Sequence, residues 1–334
     1  MRRFVAPQAS VSGGHVYNRQ VLAAWPGEPP TLMALPGAWP DGPGTGAALA
    51  DALVGATHAV VDGLCGAAHP HVLAEAQAAG CAITLLVHLP LADETGLTEE
   101  RRHHLEAQER MAVQECTRVV ATSRYAGADI ARRHGRADID VAPPGVHPAP
   151  LAAGSTPPQI LCLAALTPRK NHVGLVRALA RLDGPWSAVF AGPGTPEERE
   201  TLLAEIASYV LTGRIELPGP VEGTALEALW AATDLLVLPS LAETYGLVVT
   251  EAFARGIPVV VPAGTGAVEA LSDGDGPDPG LAVDTTDPRT LAHAIGTVLR
   301  EETWRVTAQA RRASLRSWTT TAAALAHDGS SDER

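Results

Sequence analysis

The sequence predicts an α/β fold built from two parallel-sheet domains, and three observations carry that prediction. Strand-like apolar runs alternate with helical patterns from one end of the chain to the other, the rhythm of parallel strands joined by crossover helices. The length, 334 residues, suits two ordinary domains rather than one. Midway, residues 143–158 form a proline- and glycine-rich stretch without periodicity, as expected of a linker.

In the first half the strand-like runs are 3–6, 59–62, 82–87, 119–122 and 139–142, with helical patterns at 16–25, 71–79 and 99–115. The second half repeats the rhythm with strands at 160–165, 188–191, 214–217, 235–238, 258–261 and 281–283, and helices in the gaps, such as 225–232. The boundary is expected near residue 150, giving a first domain of 1–148 and a second of 149–334. The C-terminal segment with Trp304, Arg311 and Trp318 is expected to pack as helices, and a return of the last helix to the first domain stays open. Open parallel sheets bind ligands at the carboxyl ends of their strands, so the loops that follow strands hold the functional information.

Composition narrows the class. A formal net charge of −12 argues against nucleic acid or an anionic membrane as the main partner, because both need a concentrated positive face. The most basic stretch, 101–110, is interleaved with Glu99, Glu100, Glu106 and Glu109 and reads as a solvated helix face. Apolar runs fall far short of a membrane span, and the start, Met1 to Gln8, lacks the apolar region of a secretory signal and reads as a first buried strand. Cys65, Cys81, Cys116 and Cys162 are widely separated with no C-x-x-C pair, so free thiols and a cytoplasmic location are expected. Lys170 is the one lysine in the chain, all other Lys or Arg positions being arginine. Under so strong a bias, a retained lysine points to a need for a compact ammonium.

The segment from Leu235 to Val261 reads as a strand, a polar loop, a helix and another strand, with Glu243 in the loop and Glu251 in the helix. Eight helical residues would separate the two carboxylates by roughly 12 Å. That distance suits two hydroxyl-rich groups on one extended ligand, with the helix start near Gly246 and Leu247 offering amides to an anion between them. A sugar, a diphosphate and a ribose fit that order. Taken alone, the spacing also fits a helix-start carboxylate and an exposed neighbour.

The whole segment resembles the retaining glycosyltransferases of family 4, which have the double-Rossmann architecture called GT-B. The motif is matched at Pro239, Ser240, Glu243, Gly246, Glu251, Ala252, Gly256, Pro258, Val259 and Val260. The resemblance implies that Glu243 and the backbone of Thr244, Tyr245, Gly246 and Leu247 hold the donor sugar, and that Glu251 binds the ribose hydroxyls. Thr244-Tyr245 stands where many relatives have Gly-Phe, and a side-chain hydroxyl there is expected to influence which sugar fits.

The loop after strand 160–165 runs Leu166-Thr-Pro-Arg-Lys-Asn-His172. Breaking a glycosyl–phosphate bond leaves growing negative charge, which fixed cations stabilise more in the transition state than in the ground state, and Arg169 and Lys170 can supply them. The family commonly places an arginine about six residues before this lysine, where this chain has Ala164-Ala165; Arg169 is expected to substitute. Asn171 stands where relatives often carry glycine.

In the first half, Ser12-Gly13-Gly14 follows the first strand and opens a helix, and paired glycines let backbone approach a phosphate. This position matches the family's glycine-rich loop; Arg19 can point to the same place. The resemblance also implies that His88, after strand 82–87, approaches the donor sugar. Asp93, Glu94 and Asp62 are candidates for the acceptor side, with loop solvation as the equal alternative for Asp93 and Glu94, and Ser123-Arg124 ends another strand. Gly192-Pro-Gly194 lacks the third glycine of a dinucleotide fingerprint, but the family has a similar pair near the nucleotide, and Ile215 is counted with that donor site. Asp273-Gly-Asp275 has a metal-binding D-x-D form but lies in a glycine- and proline-rich loop and reads as a turn.

The combined expectation is a metal-independent, cofactor-free transferase with catalytic Arg169, Lys170, Glu243 and His88. It would move a sugar from UDP or GDP to a small soluble acceptor, of natural-product type, with retention. An epimerase or hydrolase of the same architecture, or a nucleotide-sugar-binding protein without turnover, are the alternatives.

Overall fold

A computed structural model describes residues 1–8 and 12–327, and within them the short apolar runs become twelve strands in two sheets. The chain divides into one unit of Met1–Gly145 with Ser317–Arg334 and another of Val146–Arg316. Residues 328–334 of the expected second domain lie outside the described residues.

In the first unit the strands are β1 (Arg2–Pro7), β2 (Thr31–Leu35), β3 (His58–Asp62), β4 (Ala82–Val87), β5 (Arg118–Ala121) and β6 (Ile139–Val141). They pair in the order β2-β1-β3-β4-β5-β6, all parallel. The central strands are apolar nearly throughout because helices cover both faces. Phe4, Val61, Ile83, Leu85 and Val119 are fully buried. The edge strand β2 is exposed at four of its positions to at least a partial degree, with only Leu35 buried, and it is the strand that the apolar-run reading did not place.

The second unit holds β7 (Gln159–Leu163), β8 (Ser187–Ala191), β9 (Ile215–Gly219), β10 (Thr233–Val237), β11 (Val259–Pro262) and β12 (Gly280–Val283), in the order β12-β11-β10-β7-β8-β9, again all parallel. Side chains alternate between two cores, as strand geometry requires. Ile160, Cys162, Leu235 and Val237 enter one with Leu175, Phe190 and Ile295. Leu161 and Leu236 enter the other with Trp230, Val249 and Phe253.

In each sheet the chain starts in the middle and departs in two directions. The reversal falls between β1 and β3 in one unit and between β7 and β10 in the other. Loops leaving the carboxyl ends of two such neighbours diverge and leave a ligand crevice.

The expected linker is not free chain. Ala152 N–H donates to Arg255 O, Ala153 and Gly154 N–H to Ala231 O, and Ser155 N–H to Asp234, which fastens it to the second unit. The last helix, Trp318–Ala326, belongs to the first unit. It is capped by Ser317, whose hydroxyl accepts from Thr320 N–H, and packs on the helix Gly13–Ala23 through an edge-on contact of Trp318 with Tyr17 at 5.6 Å. Arg118 closes its other end, donating to the carbonyls of Leu325 at 2.7 Å and Ala324 at 2.9 Å. A Cβ at Gly145 would stand 2.3 Å from Trp318 N, so only glycine lets the two backbones pass. Among the described residues no helix is long and apolar enough to cross a membrane.

Trp318 is 5% exposed and seats this helix. Trp318→Ala is expected to destabilise the first unit by about 3–5 kcal/mol, measured by urea unfolding followed by far-UV circular dichroism.

Candidate functional site

Where the second sheet reverses, the loops after β7 and β10 are bound to each other. The first makes a 3₁₀ turn at Pro168–Lys170 and then Asn171 adopts a left-handed conformation, φ 53° and ψ 38°. Asparagine tolerates that region better than most side chains, which accounts for its use in place of glycine. Its amide also donates to Pro239 O at 3.2 Å and Thr285 O at 3.0 Å. Leu241 N–H donates to Arg169 O at 2.8 Å, and Arg169 Nη1 donates to Ala242 O at 3.2 Å. Beyond these, Lys170 Nζ meets Glu243 Oε2 at 2.6 Å, with side-chain exposures of only 16% and 10%. A charge-assisted hydrogen bond so little screened by water is strong, and losing one partner would leave the other charge poorly solvated.

The loop 243–246 is clamped from the other side as well. Gly266 N–H donates to Glu243 O at 2.8 Å, and a Cβ on Gly266 would lie 1.9 Å from Thr244 O. Gly246, at φ +87°, starts the helix Leu247–Ala254 without any side-chain cap, so the helix start offers its dipole and amides rather than a filled cap. Tyr245 corrects one expectation. Its ring is 2% exposed in the core with Leu238, Val249 and Phe253, and its hydroxyl donates to Asp273 Oδ2 at 3.0 Å. Burial, then the Asp273 charge, pushes that hydroxyl well above its ordinary pKa. Of the two hydroxyls in Thr244-Tyr245, that of Tyr245 therefore faces inward, and only the Tyr245 backbone remains on the loop. Asp273 also pairs with Arg316 at 3.2 Å, and Asp275 N–H donates to Ser314, so the D-x-D segment is a loop tied to its own unit.

Glu251 is half-buried in the helix. Burial pushes its carboxyl up to about 7, against the pull of Arg255 and with a smaller push from Glu227. Arg255 is close in sequence but engaged elsewhere. It forks onto both oxygens of Glu227 at 2.8 and 3.0 Å, donates to the backbone carbonyl of Glu251 at 3.2 Å, and lies over the Trp230 ring at 4.9 Å. A desolvated carboxylate whose nearest cation is committed to another acid is suited to hydroxyl donors from a ligand.

Two further residues expected at the donor site separate. Gly192 lies against β7: its N–H donates to Gly219 O at 2.9 Å, and a Cβ there would be 2.0 Å from Ala164 O. Ile215 is at the opposite end. It begins β9, opposite Ala188 at the start of β8, and is 6% exposed in the core, so it does not share the carboxyl edge with Gly192 and Lys170. The residues that do are Gly219 and those after it. The strand-end rule, applied to the end of 214–217 rather than to the strand itself, points there, as it does to Thr265-Gly266 after β11.

In the first unit, the ends of β1, β3 and β4 gather one network. His88 Nε2 stands 2.9 Å from Asn18 Oδ1 and 3.5 Å from Asp62 Oδ2, while Asn18 Nδ2 donates to Asp62 Oδ2 at 2.6 Å. With the Asn18 amide committed to Asp62, its oxygen faces His88, which makes Nε2 the protonated nitrogen. Leu64 N–H completes the shell of Asp62 at 2.8 Å. Burial opposes ionisation of Asp62, but the His88 charge, the His88 and Leu64 hydrogen bonds and Asn18 together hold it below the usual carboxylate range. Tyr17 packs edge-on to the imidazole at 5.0 Å, and a Cβ on Gly14 would come within 3.0 Å of it. The glycine of Gly13-Gly14 thus makes room for His88. Asn18 and Tyr17 went unread, since nothing in the first helix pattern marks them as polar contacts.

The three acidic candidates for the acceptor side have different settings. Asp62 is 4% exposed and supports His88 rather than meeting an acceptor directly. Asp93 is held by Arg133 at 2.7 Å. Glu94 is exposed and accepts from Thr95 N–H at 3.1 Å. Glu109, read as part of a solvated face, is buried on the inward stripe with Leu105, Ala112 and Val113. It accepts from Leu91 N–H at 3.2 Å and meets His134 Nε2 at 3.1 Å, bolting the loop that carries His88 to two helices. Ser123 caps the helix Arg124–His134 by accepting from Ala126 N–H. Among the described residues no group of three His, Cys, Asp or Glu is arranged to hold a metal.

The Glu251 carboxyl, ordinarily at 4.5 and here about 7, takes up a proton on folding between those limits. Its contribution to stability is present below pH 4.5 and is lost as pH rises through 7. Glu251→Gln is therefore expected to raise Tm more at pH 8 than at pH 5, and an equal change at both would contradict this.

Residues 146–315, half of the chain, match the glycosyl transferases group 1 family. A D-inositol 3-phosphate glycosyltransferase from Salinispora tropica is 32% identical over 222 residues, covering 57% of this chain and 45% of that protein. One from Mycobacterium bovis is 33% identical over 218 residues, covering 60% and 44%. The chain spans somewhat under half the length of these curated relatives. Among solved structures, sucrose-phosphate synthase from Thermosynechococcus elongatus aligns with a TM-score of 0.79 at 19% identity, over 97% of this chain and 96% of that one. HepE from Anabaena, solved with UDP and glucose, gives 0.78 at 17% identity over 97% and 98%. Two parallel six-stranded sheets, the family match over the whole second unit and this shared GT-B fold together lead to one conclusion: the chain belongs to the glycosyl transferases group 1 family.

Proposed function

We propose that the protein transfers a sugar from a nucleoside diphosphate, UDP or GDP, to a small soluble acceptor with retention of anomeric configuration. The observation that carries this reading is Glu251. It is a half-buried carboxylate raised to about 7 by burial, on the helix that begins beside Glu243. In this reading it accepts from a ribose diol while Glu243 accepts from sugar hydroxyls, and the uncapped helix start and Lys170 serve the diphosphate between them.

In this reading Arg169 and Lys170 stabilise charge on the departing phosphate, which accepts the acceptor's proton on the same face of the sugar. His88, held by Asn18 and Asp62, helps to orient the sugar, as the family resemblance implies. The acceptor is a diffusible, natural-product-like molecule, a reading supported by the net charge of −12, which disfavours an anionic lipid surface; the setting is cytoplasmic, a reading supported by the four free thiols. No metal takes part.

A second reading has one observation in its favour. Ala164-Ala165 supplies no cation where the family commonly has arginine, and the backbone there is pinned by Ala164 N–H donating to Ala191 O and Leu166 N–H to Pro193 O. A chain short of one phosphate ligand can bind a nucleotide sugar without turning it over.

A thermal-shift screen with uridine, guanosine, adenosine and thymidine diphosphates and their sugars tests the donor site. One nucleotide is expected to raise Tm, and Glu251→Ala to abolish the shift; no stabilisation by any of them would sink the reading. Turnover separates the two readings, since transfer or sugar release requires the cations. Lys170→Ala is expected to lower kcat by about 10²–10³ with Lys170→Arg failing to restore it, measured by nucleotide release.

A further inference from the structure

Lys170 and Glu243 are proposed above to serve different parts of one donor, yet they contact each other at 2.6 Å with little solvent around them. A phosphate oxygen within hydrogen-bond reach of the same ammonium comes to about 5 Å from the Glu243 carboxylate. At that distance, in a partly desolvated site, two like charges repel appreciably. Glu243 cannot retreat easily. Its backbone is clamped by Gly266 N–H, and the adjoining Ala242 carbonyl is held by Arg169.

What relieves the repulsion is a set of donors on the carboxylate. A nucleotide sugar brings them, because its sugar hydroxyls can donate to Glu243 while its diphosphate, esterified at both ends, carries less charge. A nucleoside diphosphate brings none and carries a further negative charge on its terminal phosphate. We propose that Glu243, through its pairing with Lys170, discriminates between loaded and spent nucleotide: it weakens binding of the nucleoside diphosphate specifically and so favours its release after transfer. This is specificity by an unfavourable contact with the wrong ligand rather than by an added attraction to the right one. Glu243 would then act at both ends of the cycle, holding the sugar first and displacing the product once the sugar has gone. The inference rests on the donor-site reading above.

The test is titration calorimetry with UDP and GDP and with their glucose and mannose derivatives, on the native chain, Glu243→Gln and Glu243→Asp, each first shown to keep the native Tm within a few degrees. Glu243→Gln is expected to bind the nucleoside diphosphate about tenfold tighter while its affinity for the nucleotide sugar stays level or falls. Glu243→Asp, which keeps the charge, is expected to retain weak diphosphate binding. If the Gln variant binds the diphosphate no tighter than the native chain, or tightens equally for both ligands, the inference is overturned. It is also overturned if the Asp variant tightens as the Gln variant does, since charge is then not the cause. Failure of the native chain to bind any of these ligands brings down the donor-site reading itself, and this inference with it.

Discussion

The Lys170–Glu243 contact is the constraint around which the second unit is arranged. A parallel sheet that starts in its middle must send the loops of β7 and β10 apart, and that divergence would leave both mobile. Here four contacts draw them back together: Leu241 to Arg169, Arg169 to Ala242, Asn171 to Pro239, and the ion pair itself. The pair is held in a setting of low exposure, where geometry rather than solvent decides its strength. The left-handed Asn171, the close approach of Gly266 to Thr244 and the uncapped helix at Gly246 all follow from bringing two loops and a helix start to one place.

Two other acids, one in each unit, show how environment divides similar groups. Asp62 is almost wholly buried yet held below the usual carboxylate range, because Asn18, Leu64 and His88 replace the water it has lost. Glu251 is raised because burial strips it of water and the opposing pull of Arg255 is incomplete, that arginine spending its donors on Glu227 and on backbone. The first arrangement fixes a neighbour, His88. The second leaves an acid whose charge is incompletely compensated by its own protein, the condition in which a ligand's hydroxyl groups have most to offer.

The class of the fold, the parallel sheets and the placement of Glu243, Glu251, Arg169 and Lys170 on loops and a helix start were all legible in the chain. Apolar runs bounded by turn residues, a strand-loop-helix-strand segment with ordered glutamates and a single lysine among arginines are local signals. The short edge strand β2 escaped because an edge strand with exposed sides lacks the apolar run that marks its neighbours. Ile215, expected at the donor site, begins its strand and lies in the core, away from the carboxyl edge that holds Gly192 and Lys170. Glu109 looked solvated in a charge-rich helix, but its spacing to Leu105, Ala112 and Val113 puts it on the buried stripe, where His134 and a backbone amide receive it.

By itself the sequence determined which residue types stand after which strands, and hence the family. Only the tertiary structure decided where each side chain points and what it touches. Tyr245 turns its hydroxyl to Asp273, twenty-eight positions along the chain. Asp62 is met by Asn18 from the first helix and by His88 from the loop after β4, and Lys170 is answered by Glu243 seventy-three positions away. The reason is physical: propensity and periodicity act over a few residues, while the partner of a buried polar group is chosen by whichever distant segment the packing of the sheet brings within 3 Å.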